Sequence, residues 1–385
     1  MSSRRKNILI TGGNFTNQGA YLMLCAAAEQ VRAQFQAQPV IALQTGTERA
    51  KRWVGVDSLF SFPRFGVRVW GGSPHRFEKI RHRLPFVVGS EIDAVLDVSG
   101  FVFSDEWAHL DLRKRADDLL WWESRGVPTV LMPQAFGPFE NPEVVNPTAD
   151  LLDRCAMVVA RDPDSERFLK GIARNGDAAR KIDISTDFTT IVSPEHPGRH
   201  AQFEGRVPIV PNWNIARRAA DRGGSEARYL ANLVSIVQVV RNAGYEPYGL
   251  CHEGGKDADI LHQLAERVPG FEVVGGLNGR QSKWLLGEAP FVVSGRFHAL
   301  VSALSQGVPA YAHGWSHKYR WLAEEYKSTD MILDPYGDPD EIRESLADIG
   351  GIVDAHRDAL GAIVSVKKAE TYNLWRNVGS AIAIA

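Results

Sequence analysis

The chain is poor in cysteine, with three in 385 residues. Cys25, Cys155 and Cys251 lie far apart in apolar or strand-like surroundings. They offer neither a disulfide framework nor a zinc-binding pair, and point to reduced, structural thiols. The sequence also lacks any apolar run near the roughly 20 residues that a membrane-crossing helix needs. Its first residues, MSSRRKNILITGG, are basic and then pass straight into an apolar run. The apolar core and small-residue cleavage site of a secretory leader are missing, so a cytoplasmic location is expected. An excess of one charge is absent too. With 44 Lys and Arg against 46 Asp and Glu, the net charge is −2, and no global field selects nucleic acid. A local exception is RFEKIRHRLP (Arg76–Pro85), which reads either as solvated surface or as a phosphate or membrane-surface contact. Internal repeats and low-complexity tracts are absent.

What is present is a rhythm. Apolar runs at Asn7–Thr11, Pro39–Leu43, Asp93–Val98, Pro128–Met132, Met157–Ala160 and Lys181–Ser185 alternate with helical patterns such as Gln18–Phe35 and Leu110–Ser124. SPEHPGRHAQFEGR (Ser193–Arg206) then reads as a linker, rich in Pro, Gly and charge. The rhythm restarts at Val207–Val210 and continues through Glu246–Leu250, Glu272–Val274, Phe291–Val293 and Ala310–Ala312. Strands alternating with helices imply parallel sheets covered on both faces. The expected fold is α/β, with two Rossmann-like domains facing a cleft: an N-terminal domain over 1–195 and a C-terminal domain over 196–360. A helix over 361–385 is expected to close the chain, in a position to pack back on the N-terminal domain.

Ligands of such sheets sit beyond the carboxyl ends of the strands, so chemistry is sought there. After the first strand comes TGGNFTNQGA (Thr11–Ala20), where Asn14, Asn17 and Gln18 bring amides to a helix start that suits an anion or a sugar. The glycines are wrongly placed for a dinucleotide fingerprint, and the Lys-Ser/Thr of a Walker loop is missing. A plain capped turn explains the stretch as well. MPQAFGPF (Met132–Phe139) offers Gln134 as a site-lining group. VVARDPDSERFLK (Val158–Lys170) puts Arg161 at a strand end, suited to a carboxylate or phosphate, or to a structural pair with Asp162. Asp187 follows the last strand of the first half, to orient a base, line the site or cap a helix.

In the second half, CHEGGKDADI (Cys251–Ile260) offers His252 as a binding residue and Asp257 as a helix cap. No second pair at suitable spacing makes a metal site of His252 and Glu253. SGRFHALVSALSQGVPAYAHGWSHKYRWL (Ser294–Leu322) is the densest stretch. Arg296 and His298 begin a helix after a strand, as an anion clamp and a group that exchanges a proton near neutral pH. His313, His317 and Lys318 follow the next strand, and Lys318 reads as a phosphate contact.

Over about residues 7–330 the chain resembles the polysaccharide pyruvyl transferases. The resemblance rests on GGNFTNQGA, MPQAFGP, ARDPDS, CHEGGKDAD and, most specifically, SGRFHALVSALSQGVP with SHKY. Family members carry Arg-Leu-His where this chain has Arg296-Phe297-His298, a change at the apolar middle position. The resemblance implies a GT-B-type fold and transfer of the enolpyruvyl unit of phosphoenolpyruvate onto a sugar of a polysaccharide, glycolipid or lipid-linked precursor. It implies His298 as the acid–base group and a donor set of Arg296, Arg161, Lys318, His317 and His252. The acceptor falls to Asn14, Asn17, Gln18, Gln134 and Asp187 on the N-terminal half. Phosphoenolpyruvate is a substrate here, and neither metal nor other cofactor is called for. A lipid-linked acceptor would bring the protein to the inner face of the membrane. Two other readings share the scaffold: a glycosyltransferase using a nucleotide-sugar, and a non-enzymatic sugar- or phosphate-binding protein.

Overall fold

The apolar run at the chain start forms β1 (Asn7–Thr11), which passes into α1 (Gln18–Ala33) and then β2 (Gln38–Ala42). These come from a computed structural model that describes residues 4–64, 67–70, 86–108, 110–220, 224–314 and 316–383. The basic stretch Arg76–Pro85 lies outside the described residues. The chain divides into two units, Met1–Phe188 with Glu370–Ala385, and Thr189–Ala369.

In the first unit α2 (Glu48–Val54) leads to β3 (Asp57–Leu59), and β4 (Ser61–Arg64) pairs antiparallel with β5 (Val67–Trp70). Then follow β6 (Ile92–Asp97), α3 (Leu112–Glu123), β7 (Thr129–Gln134), α4 (Pro142–Arg154), β8 (Met157–Ala160), α5 (Pro163–Ile172), α6 (Gly176–Arg180) and β9 (Ile182–Ile184). The seven-stranded sheet has the order β3-β2-β1-β6-β7-β8-β9, with every pairing parallel. β7 and β8 are buried at every position, because helices cover both faces and no polar face is needed. β7 continues past the expected Met132 to Gln134, with the register shifting around Pro133, which has no N–H for the ladder.

The second unit holds β10 (Val207–Val210), α7 (Trp213–Arg218), α8 (Glu226–Asn242), β11 (Pro247–Leu250), α9 (Lys256–Arg267) and β12 (Val273–Val274). It continues with α10 (Gly279–Gly287), β13 (Val292–Ser294), α11 (Phe297–Leu304), β14 (Ala310–His313), α12 (His317–Glu325), β15 (Ile332–Leu333) and α13 (Pro339–Ser345). Its order is β12-β11-β10-β13-β14-β15, again parallel. In both sheets the strand order grows one way from a first strand and then jumps to its other side. The crevices where it reverses, β1/β6 and β10/β13, are where such sheets bind ligands.

Two segments differ from the sequence reading. Ser193–Arg206 is packed into the second unit and is no free linker. The Glu195 N–H donates to Arg280 O (3.0 Å), Arg280 Nε to Ser193 O (2.9 Å) and the Gly205 N–H to Glu288 O (3.2 Å). Composition marks such a stretch as irregular and leaves open whether its backbone groups find partners. The chain closes on one 33-residue helix, α14 (Ile349–Ala381), which starts in the second unit and ends in the first. Near its end the buried Trp375 meets Phe35 and Phe188, each at 6.0 Å between ring centroids. Among the described residues no helix is long and apolar enough to cross a membrane.

Candidate active site

β10 and β13 pair through Ile209↔Val293 and Val210↔Ser294, so the residues that follow them emerge side by side at the crevice of the second unit. Asn212 Nδ2 donates to Gly295 O (2.7 Å), and Tyr319 Oη donates to the same oxygen (2.7 Å). The Tyr229 hydroxyl accepts the Asn212 N–H (3.0 Å). A Cβ at position 295 would stand 2.8 Å from Ile215 Cδ1 and 3.1 Å from Asn212 Cβ, so only glycine passes here without displacement.

This fixed turn presents Arg296, the residue that precedes α11. Its Nε and Nη2 donate to the two carboxylate oxygens of Asp257 (2.8 and 2.6 Å), and its Nη1 meets the carboxylate of Glu253. Asp257 lies in the first turn of α9, nearly inaccessible, and also accepts the Trp213 N–H (2.9 Å). It was expected to cap α9, but Gly255 holds that position and Asp257 grips Arg296. Burial pushes the Asp257 carboxyl up, to about 7, and the Arg296 guanidinium down, to about 10. The arginine therefore stays cationic at neutral pH, held in the bidentate geometry that fixes a guanidinium plane.

His298 stands in the first turn of α11, half-buried and edge-on to Phe297. His252, just past β11, is buried; that burial and the positive charges of Arg296 and His298 hold it down to about 3. His313 ends β14, stacked on Tyr229 at 5.1 Å, and burial holds it down to about 3 as well. Both are neutral imidazoles at physiological pH, and Nε2 of each has no hydrogen-bond partner among the described residues. His317 and Lys318 open α12, with Lys318 Nζ 5.7 Å from the Phe297 ring and 5.5 Å from the Tyr319 ring. Tyr319 ties that helix start to Gly295.

The helix starts are themselves informative. α1, α3, α4, α5, α8 and α10 each have a side-chain oxygen capping the first turn. α11 and α12 have none, and neither carries an acid in its first turn. A lysine there opposes the helix dipole, at a cost of about 0.3–1 kcal/mol. An anion received at these starts reverses that cost.

In the first unit the site residues are engaged differently. Arg161 Nη1 pairs with Asp187 Oδ2 (3.0 Å), and both are buried. The structural pair that stood as the alternative to an anion ligand for Arg161 is made with Asp187 and not with Asp162, which caps α5 through the Ser165 N–H (2.8 Å). Asn14 Oδ1 accepts from the Thr16 N–H, the Thr16 hydroxyl and the Asn17 N–H, and Asn17 caps α1 through the Ala20 N–H. The two carbonyl oxygens thus serve the chain's own turn. Gln18 Oε1 is buried without a hydrogen-bond partner among the described residues. Gln134 does not line a surface: it is fully buried, with Nε2 directed to Asp97 Oδ2 (3.3 Å). Arg161, Asp187 and Gln134 belong to this unit, whereas Arg296, His298, His252, His317 and Lys318 belong to the other. Among the described residues no group of three or more His, Cys, Asp or Glu is arranged to hold a metal ion.

The model of the polysaccharide pyruvyl transferase family matches residues 6–317. The chain belongs to that family. It is therefore a transferase. No curated protein matches the sequence. Among solved structures it is similar to the S. aureus MnaA–UDP co-structure, with a TM-score of 0.64 at 9% identity, over 99% of this chain and 98% of that one. It is also similar to UDP-GlcNAc 2-epimerase from Neisseria meningitidis bound to UDP-GlcNAc (TM-score 0.62, 11% identity, 98% and 100% coverage). Anabaena Alr3699/HepE in complex with UDP and glucose gives 0.57 at 11% identity, over 99% and 100%. At such identities the likeness shows the fold, which is GT-B-type.

One cluster of this pyruvyl transferase family member was only partly seen in the sequence, where DVSGFVFSDEW (Asp97–Trp107) offers Ser99, Ser104 and Asp105 as contacts for sugar hydroxyls or as loop structure. Asp97, at the end of β6 and fully buried, accepts from Thr11 Oγ1 (3.0 Å), Ser99 Oγ (2.7 Å) and Arg115 Nη2 (2.8 Å). It knots the β1/β6 crevice of the first unit. A carboxylate ending an apolar strand was the available signal, but its arginine lies on α3 and shares no motif with it. Gly295→Ala offers a test of the second crevice. The added Cβ is expected to cost about 1–3 kcal/mol and to move Arg296. A lower urea midpoint is the readout; an unchanged midpoint would contradict the packing described.

Proposed function

We propose that this transferase takes phosphoenolpyruvate as donor and builds a pyruvate ketal on two hydroxyls of a glycan sugar, free or lipid-linked. The observation that carries this reading is Arg296, locked by Asp257 at the β10/β13 crevice, with His298 two positions on at the same helix start. Phosphoenolpyruvate carries a carboxylate and a phosphate on one small frame. Arg296, Lys318 and the uncapped starts of α11 and α12 are the complementary charges.

His298 gives its proton to the CH2 carbon of the enol, so that the neighbouring carbon becomes electron-poor and is stabilised by its oxygens. One sugar hydroxyl adds there and returns a proton to the imidazole. The C–O bond to phosphate then breaks, phosphate leaves with its electron pair, and the second hydroxyl closes the ketal as its proton passes to the departing phosphate. Such proton transfer typically contributes about 10²–10⁴-fold. His252, held neutral beside His298, accepts or donates a hydrogen bond without adding a charge that would compete with the proton in transit.

Phosphate release from phosphoenolpyruvate, followed with and without β-galactosides, glucosides and mannosides in free and lipid-linked form, tests the reading. Release that depends on one class of acceptor is expected, with a methyl ketal in the product. Absence of release with every acceptor, together with thermal stabilisation by a nucleoside diphosphate, would move the assignment to nucleotide-sugar chemistry.

A further inference from the structure

Arg296 faces two carboxylates of its own chain, and they are not equivalent. Asp257 takes Nε and Nη2, with its side chain 1% exposed. Glu253 takes Nη1, with its side chain 26% exposed. The first is a buried tie. The second is a wet contact, made by a residue on the short loop between β11 and α9. Two glycines follow Glu253 at once, Gly254 with φ of 78° and Gly255 with φ of 54°, and no atom lies within 4 Å of where either Cβ would stand. The carbonyls of both glycines accept N–H groups of the start of α9, so the loop backbone is held. Rotation of the Glu253 side chain about its own bonds is enough to take its carboxylate off Arg296 with β11, α9 and Asp257 in place.

We propose that Glu253 is an internal occupant of the oxyanion seat on Arg296: its carboxylate fills Nη1 in the unliganded protein and must be displaced by the carboxylate or phosphate of the incoming substrate. The inference deepens the donor reading above and rests on it only for the identity of the anion. With Glu253 in place, one guanidinium faces two carboxylates, and the seat repels a further anion. With Glu253 swung out, Asp257 still fixes the guanidinium plane through Nε and Nη2, and Nη1 is left to pair with a ligand. The seat thus selects for ligands that bind through more than one point. A lone anion must outcompete a tethered carboxylate, whereas a ligand with two anionic groups engages Lys318 or a helix start as well. An affinity limited by an occupied seat falls by the fraction of molecules in which the seat is open.

The test is titration calorimetry of wild type, Glu253→Gln, Glu253→Ala and Arg296→Gln with inorganic phosphate, pyruvate and phosphoenolpyruvate. Glutamine keeps the shape and removes the charge that holds Arg296. Both Glu253 variants are expected to bind anions about 5–30-fold more tightly than wild type, the range for loss of a competing half-buried ion pair. Arg296→Gln is expected to abolish the gain when combined with Glu253→Gln. A merely structural Glu253 would weaken binding or leave it unchanged on substitution. Either result, or absence of anion binding in every form, overturns the proposal. If phosphate or pyruvate tightens and phosphoenolpyruvate does not bind, the seat stands and the donor reading fails. Tightening of phosphate alone assigns the seat to the phosphoryl end of the donor; tightening of pyruvate alone assigns it to the carboxylate end.

Discussion

His298→Asn is expected to lower kcat by about 10²–10⁴-fold, the contribution of a positioned acid–base group. The dissociation constant for phosphoenolpyruvate should move by less than about threefold, because the lost interaction belongs to the transition state and not to the ground state. The two proposed roles rest on different contacts. Arg296 is fixed from behind by Asp257 and from below by the turn at Gly295, neither of which involves the His298 ring. Asparagine keeps a polar group at the helix start but has no proton to exchange near neutral pH. Pre-steady-state phosphate release and calorimetry on the same preparation check both halves. An unimpaired kcat would remove His298 from the chemistry. A lost affinity with intact turnover at saturation would make it a binding group. Arg296→Gln is the complementary case, in which affinity falls first.

The second large effect is acid sensitivity. His252 and His313 are held at about 3 in the folded protein, against about 6.5 for the free side chain. Burial is the first cause for both, and Arg296 and His298 add to it at His252. A depressed folded value means that the unfolded chain binds protons more readily. The stability that these two rings contribute is therefore complete above about pH 6.5 and is lost as pH falls toward 3, while the raised Asp257 carboxyl works against that loss over part of the range. At pH 4.5 each histidine costs roughly 2–3 kcal/mol, a large share of the about 5–15 kcal/mol that holds a domain folded. Urea midpoints at pH 7.5 and pH 4.5 measure the loss. His313→Phe keeps an aromatic ring against Tyr229 and removes one titration, so its midpoint should fall less between the two pH values than that of wild type. An equal fall in both proteins would show that His313 protonates freely in the folded state.

Much of the second site was legible in the chain itself. An apolar strand, a glycine, then arginine and histidine opening a helix is a local pattern, and Ser294–Leu304 folds as that pattern implies. Lys318 at the next helix start was visible for the same reason. The partners were not. Asp257 read as a helix cap because an acid near a helix start ordinarily is one, yet its carboxylate lies against an arginine 39 residues later in the chain. Arg161 read as an anion ligand or a partner of its neighbour, and the carboxylate it pairs with is that of Asp187, 26 residues on. Gln134 read as a loop residue, but β7 extends through it and buries it beside Asp97.

The sequence by itself determined the alternation of buried strands and helices, and hence parallel sheets with their chemistry at the strand ends. Hydrophobic periodicity is local: it depends on residues a few positions apart, and water enforces it segment by segment. Only the tertiary structure decided that β10 lies between β11 and β13. That neighbourhood brings Glu253 and Asp257 to Arg296, and it shuts His252 and His313 away from solvent as neutral rings. Ion pairing and desolvation depend on distance through space between segments remote in the chain, and a one-dimensional pattern carries no such distances.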